Sequence, residues 1–196
     1  MSQRSRTIIQ VCTLFAWAWL GAGDALPAID VAATTERTAG GRLPEFTHAA
    51  STDWINSPPL TLADLRGHVV LLHVWAFECW NCYRSFPWLE SIATRYAPQG
   101  FEVIGVHSPE FEREKVRDSV IAKAAQFGLH HPIMLDNDLS YWRALDNEYW
   151  PAWYLIDAAG VVRTVVVGET HAGDARAQAL EQAIEGLLGE QPVVER

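Results

Sequence analysis

Two cysteines in the stretch CWNC, Cys79 and Cys82, have the type and spacing needed for chemistry. Such a pair can bind a metal ion, hold a haem, form a structural disulfide or exchange disulfides with another molecule. Structural zinc needs four ligands, and the sequence has no second pair of this kind. Haem attachment places a histidine directly after the second cysteine, where this sequence has Tyr83. A disulfide across so short a loop restrains little of the unfolded chain, so we favour redox exchange.

The pair lies where an apolar run gives way to a helical pattern. Residues 68–75 are almost all apolar, which predicts a central strand buried on both faces. From Trp80 the apolar residues recur at helical spacing. The unpaired N–H groups and positive dipole at a helix start favour a thiolate and lower a cysteine pKa from about 8.5 to about 3.5–7.5. We therefore expect an exposed Cys79 to attack a disulfide, and Cys82, one turn deeper, to resolve the mixed disulfide.

The remaining pattern predicts one α/β domain with a mixed sheet. Further strands are expected at residues 101–107, 131–136, 152–157 and 161–168, and further helices at residues 116–127, 139–145 and 180–188, the last ending at Gly189. Residues 54–55 and 60–62 flank the turn signal NSPP, which predicts a small N-terminal hairpin. Pro87 should kink the helix that follows the cysteines.

Composition limits the classes of partner. The chain has 196 residues, of which 49% are hydrophobic, enough for one buried core. The formal net charge is -9, and Lys115 and Lys123 are the only lysines. A nucleic acid or an anionic membrane requires a basic surface, so neither is an expected partner.

The N-terminus has the pattern of a secretory signal. Arg4 and Arg6 precede the apolar residues 8–20, and small residues follow. We expect residues 1–25 to be removed, since the apolar segment is shorter than the ~20 residues of a membrane span; an uncleaved anchor that tethers the protein is the alternative. Removal would also take away Cys12. In the exported chain, we expect residues 26–51 to form a linker, 52–190 a domain and 191–196 a tail.

Four stretches, NSPPLTLADLRGHVVLLHVWAFECWNC, VIGVHSPEFEREKV, HPIMLDND and YWPAWYLIDAAGVVR, together resemble the extracytoplasmic TlpA/DipZ-type domains of the thioredoxin superfamily. The resemblance covers about residues 52–188. It implies a thioredoxin fold, with a mixed central sheet flanked by helices, an N-terminal hairpin and a central insert at about residues 108–138. It implies no metal and no cofactor beyond a redox-active Cys79–Cys82 disulfide.

The resemblance also implies residues that bind the substrate. The family has a cis-proline opposite the cysteine pair, and the matching residue here is Pro151. The backbone of Trp150 would then pair with an extended substrate segment beside Cys79. Trp80, Trp150 and Trp153 are candidates for an apolar rim around that segment.

Two positions depart from the family pattern. His73 occupies the position of a buried aspartate that accepts the proton of the resolving thiol. A buried histidine should be neutral near pH 7 and could accept that proton, or simply be a core residue. Ser85 replaces a glutamate found in some relatives, while Glu78 precedes the pair and would raise the Cys79 pKa if close to its sulfur.

His107 and Glu110 also match a family block, VHSPE, and either chemistry or loop ordering would explain them. Together, these features predict an exported, periplasmic or extracytoplasmic thiol–disulfide oxidoreductase that reduces protein disulfides. Such a reductase outside the cytoplasm needs electrons delivered through the membrane, so the resemblance implies a membrane thiol-transfer partner as its electron donor. Two alternatives stay open: a thiol peroxidase, and a non-enzymatic chaperone that holds copper or an apocytochrome with the same cysteines.

Overall fold

The computed structural model describes residues 40–190 of the chain. The predicted signal at residues 1–25, the first part of the predicted linker and the tail at residues 191–196 lie outside the described residues. Within the described part, the structure has no helix that combines the length and the apolar character of a membrane span.

A six-stranded mixed sheet forms the centre of the domain, in the order β1-β4-β3-β2-β5-β6. The strands are β1 (Trp54–Ile55), β2 (Val69–Trp75), β3 (Phe101–His107), β4 (Ile133–Leu135), β5 (Ala152–Ile156) and β6 (Val162–Val167). The α-helices in residues 40–190 are α1 (Trp80–Tyr96), α2 (Arg117–Gln126), α3 (Ser140–Ala144) and α4 (Ala175–Glu190). Short 3-10 helices occupy Ser51–Asp53, Ala97–Gln99 and Glu112–Lys115. Strand β2 pairs in parallel with β3 and antiparallel with β5.

The central strand β2 is buried along its whole length, as the apolar run predicts. Alternate side chains enter two separate cores, since successive residues of a strand point to opposite faces. Leu71 and Trp75 pack with α1, α2 and α4 on one face. Leu72 and Val74 pack on the other face, against α3 and the segment before β2. This double burial fixes the carboxyl end of β2, from which the cysteine loop emerges.

The helices agree with the sequence prediction except for α4, which begins at Ala175, five residues before the expected position 180. α1 begins at Trp80, directly after the first cysteine, and Pro87 lies within it; the kink stays a prediction. α4 was expected to end at Gly189, but it runs through this residue to Glu190. A glycine inside a helix costs only about 1 kcal/mol, and the buried Ile184 and Leu187 hold this end of α4 on the core.

The predicted N-terminal hairpin is wrong. Strand β1 pairs with β4, in the register Trp54↔Met134, and not with residues 60–62. Pro58 and Pro59 follow β1, and proline has no N–H to donate to a strand ladder. The amide of Asn56 instead donates hydrogen bonds of 3.0 Å to carbonyls near the start of β4, which directs the chain away from a hairpin.

The predicted linker is also wrong for residues 40–51, because this segment packs on the domain. Gly40 donates to the carbonyl of Val162 at 2.8 Å, which attaches the segment to β6. Leu43 is only 3% exposed and belongs to the second core. The ring of Phe46 lies 5.2 Å from that of Trp54. The Ala, Thr and Gly composition that indicated a linker comes mainly from residues before 40.

We predict that Leu43→Ala lowers the free energy of unfolding by about 2–5 kcal/mol, since it removes a buried side chain and leaves a cavity. Val116→Ala is the control, because Val116 is 54% exposed and should change stability by less than about 0.5 kcal/mol. Urea unfolding of both variants measures the difference. Equal stabilities would mean that residues 40–51 behave as a linker after all.

Candidate active site

The cysteine pair lies at the N-terminus of α1. Cys79 is the N-cap residue, and its Sγ accepts a hydrogen bond of 3.3 Å from the N–H of Cys82. The two residues form a disulfide, with their Cα atoms 5.3 Å apart. Cys79 is 9% exposed and Cys82 is fully buried. Cys79, which was expected to be exposed, is thus almost buried, but it is still the more accessible of the two cysteines. It lies at the helix start, where the dipole and free N–H groups stabilise an anion.

The loop between β2 and Cys79 is held by one side chain from the last residue of β3 and one from the segment after it. The Nε2 atom of His107 accepts a hydrogen bond from the N–H of Phe77 at 3.3 Å. The carboxylate of Glu114 accepts one from the N–H of Glu78 at 2.8 Å. Two successive N–H groups before Cys79 thus depend on acceptors from another part of the chain. This supports loop ordering as the role of His107.

Glu114 is the functional residue that the sequence analysis missed. Its side chain is fully buried, and its second oxygen accepts hydrogen bonds from Glu110 at 2.6 Å and Phe111 at 2.8 Å. Glu110 itself is exposed and contributes its backbone N–H. An ionised carboxylate can only accept hydrogen bonds, so three backbone donors suit it. Glu114 lies within the quoted block VIGVHSPEFEREKV, but nothing local distinguishes it from the exposed Glu112.

The side chain of Glu78 is paired with Arg113. The guanidinium donates hydrogen bonds to both carboxylate oxygens, and these bonds are the main cause of a lowered Glu78 pKa. The pairing is at the surface, where an ion pair contributes little stability. Because Arg113 offsets its charge, Glu78 has less effect on the Cys79 sulfur than the sequence alone suggests.

His73 is fully buried on the face of the sheet that α1 covers. Its ring stacks on that of Trp153 at 5.6 Å and meets the edge of Phe86 at 6.0 Å. Burial, followed by the nearby His131, lowers the pKa of His73 well below its ordinary value. The imidazole is therefore neutral near pH 7, as expected. Its Nε2 atom lies 2.9 Å from Nε2 of His131, a contact that the sequence analysis did not foresee.

The Trp150–Pro151 peptide bond is cis. Ala152 pairs with Val74 near the carboxyl end of β2. Pro151 therefore lies at the same end of the central strands as the cysteine loop. The indole N–H of Trp150 donates to the carbonyl of Ser108 at 2.9 Å. This bond fixes the half-buried Trp150 beside that edge.

The tryptophans differ in their access to a substrate. Trp80 is 67% exposed, next to Cys79 in sequence, and is free to contact another molecule. Trp153 is fully buried, and its N–H donates to the carbonyl of Gly168 at 3.0 Å. The suggestion that Trp153 contributes to an apolar rim is therefore wrong, because its strand position points the ring into the core.

Ser85 connects α1 to the segment after β6. Its hydroxyl donates to the carbonyl of Asn81 at 2.9 Å and accepts from the N–H of Thr170 at 3.0 Å. Ser85 and Thr170 are both fully buried. The position that is a glutamate in some relatives thus has a packing role in this chain.

In residues 40–190, one group of three side chains has the spacing of a metal site: His48, Asp136 and Asp138. The buried Asp136 already accepts hydrogen bonds from the N–H groups of Tyr141 and Trp142 at 2.9 and 2.8 Å. These bonds explain its burial as the anchor of α3. Neither cysteine belongs to such a group in the described part of the chain.

Comparison with known proteins agrees with this geometry. Residues 38–184 match the Redoxin family. The chain belongs to the Redoxin family. Protein DipZ from Mycobacterium bovis is 46% identical over 121 residues, which are 60% of this chain and 17% of that protein. The thiol-disulfide oxidoreductase YkuV from Bacillus subtilis is 29% identical over 149 residues, which are 76% of this chain and 95% of YkuV.

The fold is that of the thioredoxin-like proteins. A crystal structure described as thiol:disulfide interchange protein DsbE from Chlorobium tepidum matches with a TM-score of 0.66 and 28% identity, and the match covers 77% of this chain and 98% of that one. The resemblance to TlpA/DipZ-type thiol–disulfide oxidoreductases is thereby confirmed. The chain spans about a sixth of the length of DipZ, given the 17% that is matched.

We predict that Glu114→Ala destabilises the protein by about 1–3 kcal/mol, since it leaves three part-buried N–H groups without their acceptor. Glu112→Ala is the matched control from the same 3-10 helix, because the Glu112 side chain is 88% exposed and contacts only Lys115 in an ion pair. Urea unfolding of the two variants measures the difference. A loss no larger than that of the control would show that Glu114 does not hold the loop.

We also predict that His107 makes stability depend on pH. Burial lowers the pKa of His107 from 6.5 to about 3, so between these values the unfolded chain binds a proton that the folded chain does not. His107 therefore reduces the free energy of unfolding by about 1.4 kcal/mol for each pH unit below 6.5. His107→Phe should flatten the measured dependence between about pH 4 and about pH 6 by this amount. Identical slopes for the variant and the unsubstituted protein would contradict the assignment.

Proposed function

We propose that this protein is an exported thiol–disulfide oxidoreductase that reduces protein disulfides through Cys79 and Cys82. The observation that carries the proposal is the unequal burial of two bonded cysteines at a helix start. Cys79 is the N-cap with 9% exposure, and Cys82 is fully buried in the first turn. The class of activity agrees with the Redoxin family and with the names of YkuV and DsbE.

The reaction begins with both cysteines reduced. The Cys79 thiolate attacks one sulfur of the substrate disulfide, and the other substrate sulfur leaves with the electron pair of the broken bond and takes up a proton. Cys82 then loses its proton and attacks Cys79 in the mixed disulfide. The second substrate sulfur leaves as a thiolate and is protonated in turn. The substrate gains two electrons and two protons, and the enzyme is left as the Cys79–Cys82 disulfide.

Three groups around the pair have roles in this proposal. The backbone of Trp150, before Pro151, pairs with an extended segment of the substrate. The exposed ring of Trp80 covers apolar residues of that segment. Neutral His73, on the same face of the sheet as Cys82, accepts the proton of the resolving thiol.

Reduction outside the cytoplasm requires a supply of electrons. We propose that a membrane thiol-transfer protein reduces the Cys79–Cys82 disulfide after each cycle. The N-terminal pattern of Arg4, Arg6 and the apolar residues 8–20 supports export, with or without a tether to the membrane. The Trp-Asn dipeptide between the cysteines lacks the histidine of strongly oxidising relatives, which supports reduction as the direction.

We predict that Cys82→Ser traps the substrate on Cys79, because the resolving sulfur is missing. A disulfide-bonded protein such as insulin should form a stable covalent adduct with this variant, detected on non-reducing gels and located by mass spectrometry. Cys79→Ser, in which the buried Cys82 remains, should form none.

Other outcomes would contradict the proposal. Adducts on Cys82 would reverse the roles of the two sulfurs. Thiol loss with hydrogen peroxide but no exchange with insulin would indicate a thiol peroxidase. Stoichiometric binding of Cu(I) without exchange would indicate a metal or apocytochrome chaperone.

A further inference from the structure

Three side chains form a row from the buried core to the surface: His73, His131 and Glu90. The Nε2 atoms of the two histidines are 2.9 Å apart. Nδ1 of His131 lies 3.4 Å from Oε1 of Glu90 on α1, an ion-pair distance, and neither atom forms a hydrogen bond in the described structure. Exposure rises along the row, from none at His73 to 7% for the side chain of His131 and 30% for that of Glu90.

A glycine on β3 makes the contact between the two imidazoles possible. Gly105 pairs with His73 on one side and with Ile133, two residues after His131, on the other. A Cβ atom at position 105 would lie 3.2 Å from Nε2 of His73 and 3.3 Å from Nε2 of His131. Both distances are tighter than ordinary contacts. Because Gly105 has no side chain, the two imidazoles have room to contact each other beside it.

The inner end of the row faces the core that contains Cys82. Cys82, Phe86 and Trp75 belong to the same core. Phe86 lies one helical turn after Cys82, and its ring is 6.0 Å from that of His73. The Nδ1 atom of His73 is buried and has no hydrogen-bond partner in the described structure. The other ring nitrogen of His73, Nε2, contacts His131, so Nδ1 is the nitrogen of His73 that is available to a group in this core.

Glu90 determines which nitrogens carry protons. A carboxylate can only accept, so in the reduced protein we assign a proton to Nδ1 of His131, the ring nitrogen nearest to Glu90. A neutral imidazole has one N–H, which leaves Nε2 of His131 as an acceptor. Nε2 of His73 must then be the donor in the 2.9 Å contact. In the reduced protein, Nδ1 of His73 is then a bare acceptor. Resolution reverses both imidazoles, so the disulfide form carries the proton on Nδ1 of His73.

We propose that His131 and Glu90 form a proton relay that connects His73 with the solvent during resolution by Cys82. The inference rests on the proposed function, since it assigns the route of the proton that Cys82 must lose. His73 is the acceptor, while His131 and Glu90 are positioning residues that do not touch the reacting sulfurs.

The relay balances in both half-reactions. As the Cys82 sulfur bonds to Cys79, its proton moves to Nδ1 of His73. The Nε2 proton of His73 moves to His131, whose Nδ1 proton moves to Glu90 and then to solvent. Reduction of the enzyme disulfide by the electron donor needs a proton at Cys82. This proton follows the same route in reverse and restores both imidazoles to their first arrangement.

The surroundings of the pair contain few other titratable groups. β3 contributes Gly105 and β5 contributes Trp153, and neither ionises near pH 7. α1 contributes Glu90 and, in the same core, Cys82. Burial and the neighbouring His131 both lower the pKa of His73, so the imidazole is neutral and able to accept when Cys82 is a thiol.

The test separates the two steps of exchange by stopped-flow kinetics with a disulfide-bonded peptide. His131→Phe should slow resolution of the mixed disulfide by about tenfold or more, which is less than the roughly 10²–10⁴-fold of a direct proton acceptor because His131 acts through His73. The attack of Cys79, measured in the Cys82→Ser background, should stay unchanged. His130→Phe is the matched control, because His130 is the exposed neighbour of His131 and lies outside the row.

A second variant and a spectroscopic measurement test the relay even if His131→Phe does not fold correctly. Glu90→Gln can still accept from Nδ1 of His131 but cannot take its proton, so resolution should slow while the imidazole arrangement is kept. Nitrogen-15 NMR of the reduced protein should show Nδ1 of His73 without a proton and Nδ1 of His131 with one.

The outcomes distinguish the relay from the proposed function. If the unsubstituted protein exchanges no disulfide, the proposed function fails. If it exchanges normally and His131→Phe resolves as fast as His130→Phe, the relay alone is wrong. A proton on Nδ1 of His73 in the reduced protein would also overturn it.

Discussion

The buried carboxylate of Glu114 is the constraint on which the active-site geometry depends. It receives three backbone N–H groups, one from the residue before Cys79 and two from the segment after β3. The strand ladder ends at Trp75, so without this acceptor the loop would reach the helix start with unpaired donors. The position of the Cys79 sulfur at the N-terminus of α1 thus depends on a side chain far away in sequence.

The sheet also helps to hold the cysteine loop in place. β2 is buried on both faces, and its register with β3 brings Trp75 opposite His107. His107 then reaches Phe77 through its ring nitrogen. A neutral imidazole can accept this bond, and burial keeps the ring neutral because its pKa is lowered to about 3. Burial in the apolar core therefore allows His107 to accept the hydrogen bond that holds the loop.

The sequence predicts features that depend on neighbouring residues and misses those that depend on distant ones. The continuous apolar run at residues 68–75 predicted β2 to within one residue, and the change of period predicted the start of α1 at Trp80. The partner of β1 is β4, and no local pattern indicates a pairing over that separation. Leu43 was assigned to a linker because one buried residue in a polar stretch leaves no periodic signal.

The same distinction applies to the site. The cysteines are recognisable from their spacing, and Pro151 from a resemblance carried by its neighbours. Glu114, His131 and Glu90 gain their roles only when strands and helices meet, because a charged or polar residue is usually solvated. Their side chains contact residues that are distant in sequence, and neither composition nor periodicity predicts such contacts.

Gly105 has a consequence for the evolution of the site. Any larger residue at this position would compete for space with the two imidazoles. Substitutions at positions 73, 105 and 131 should therefore occur together among descendants of a common ancestor, as a compensating set. A lineage that keeps an acidic group in place of His73 would be free to fill the gap with a side chain of its own.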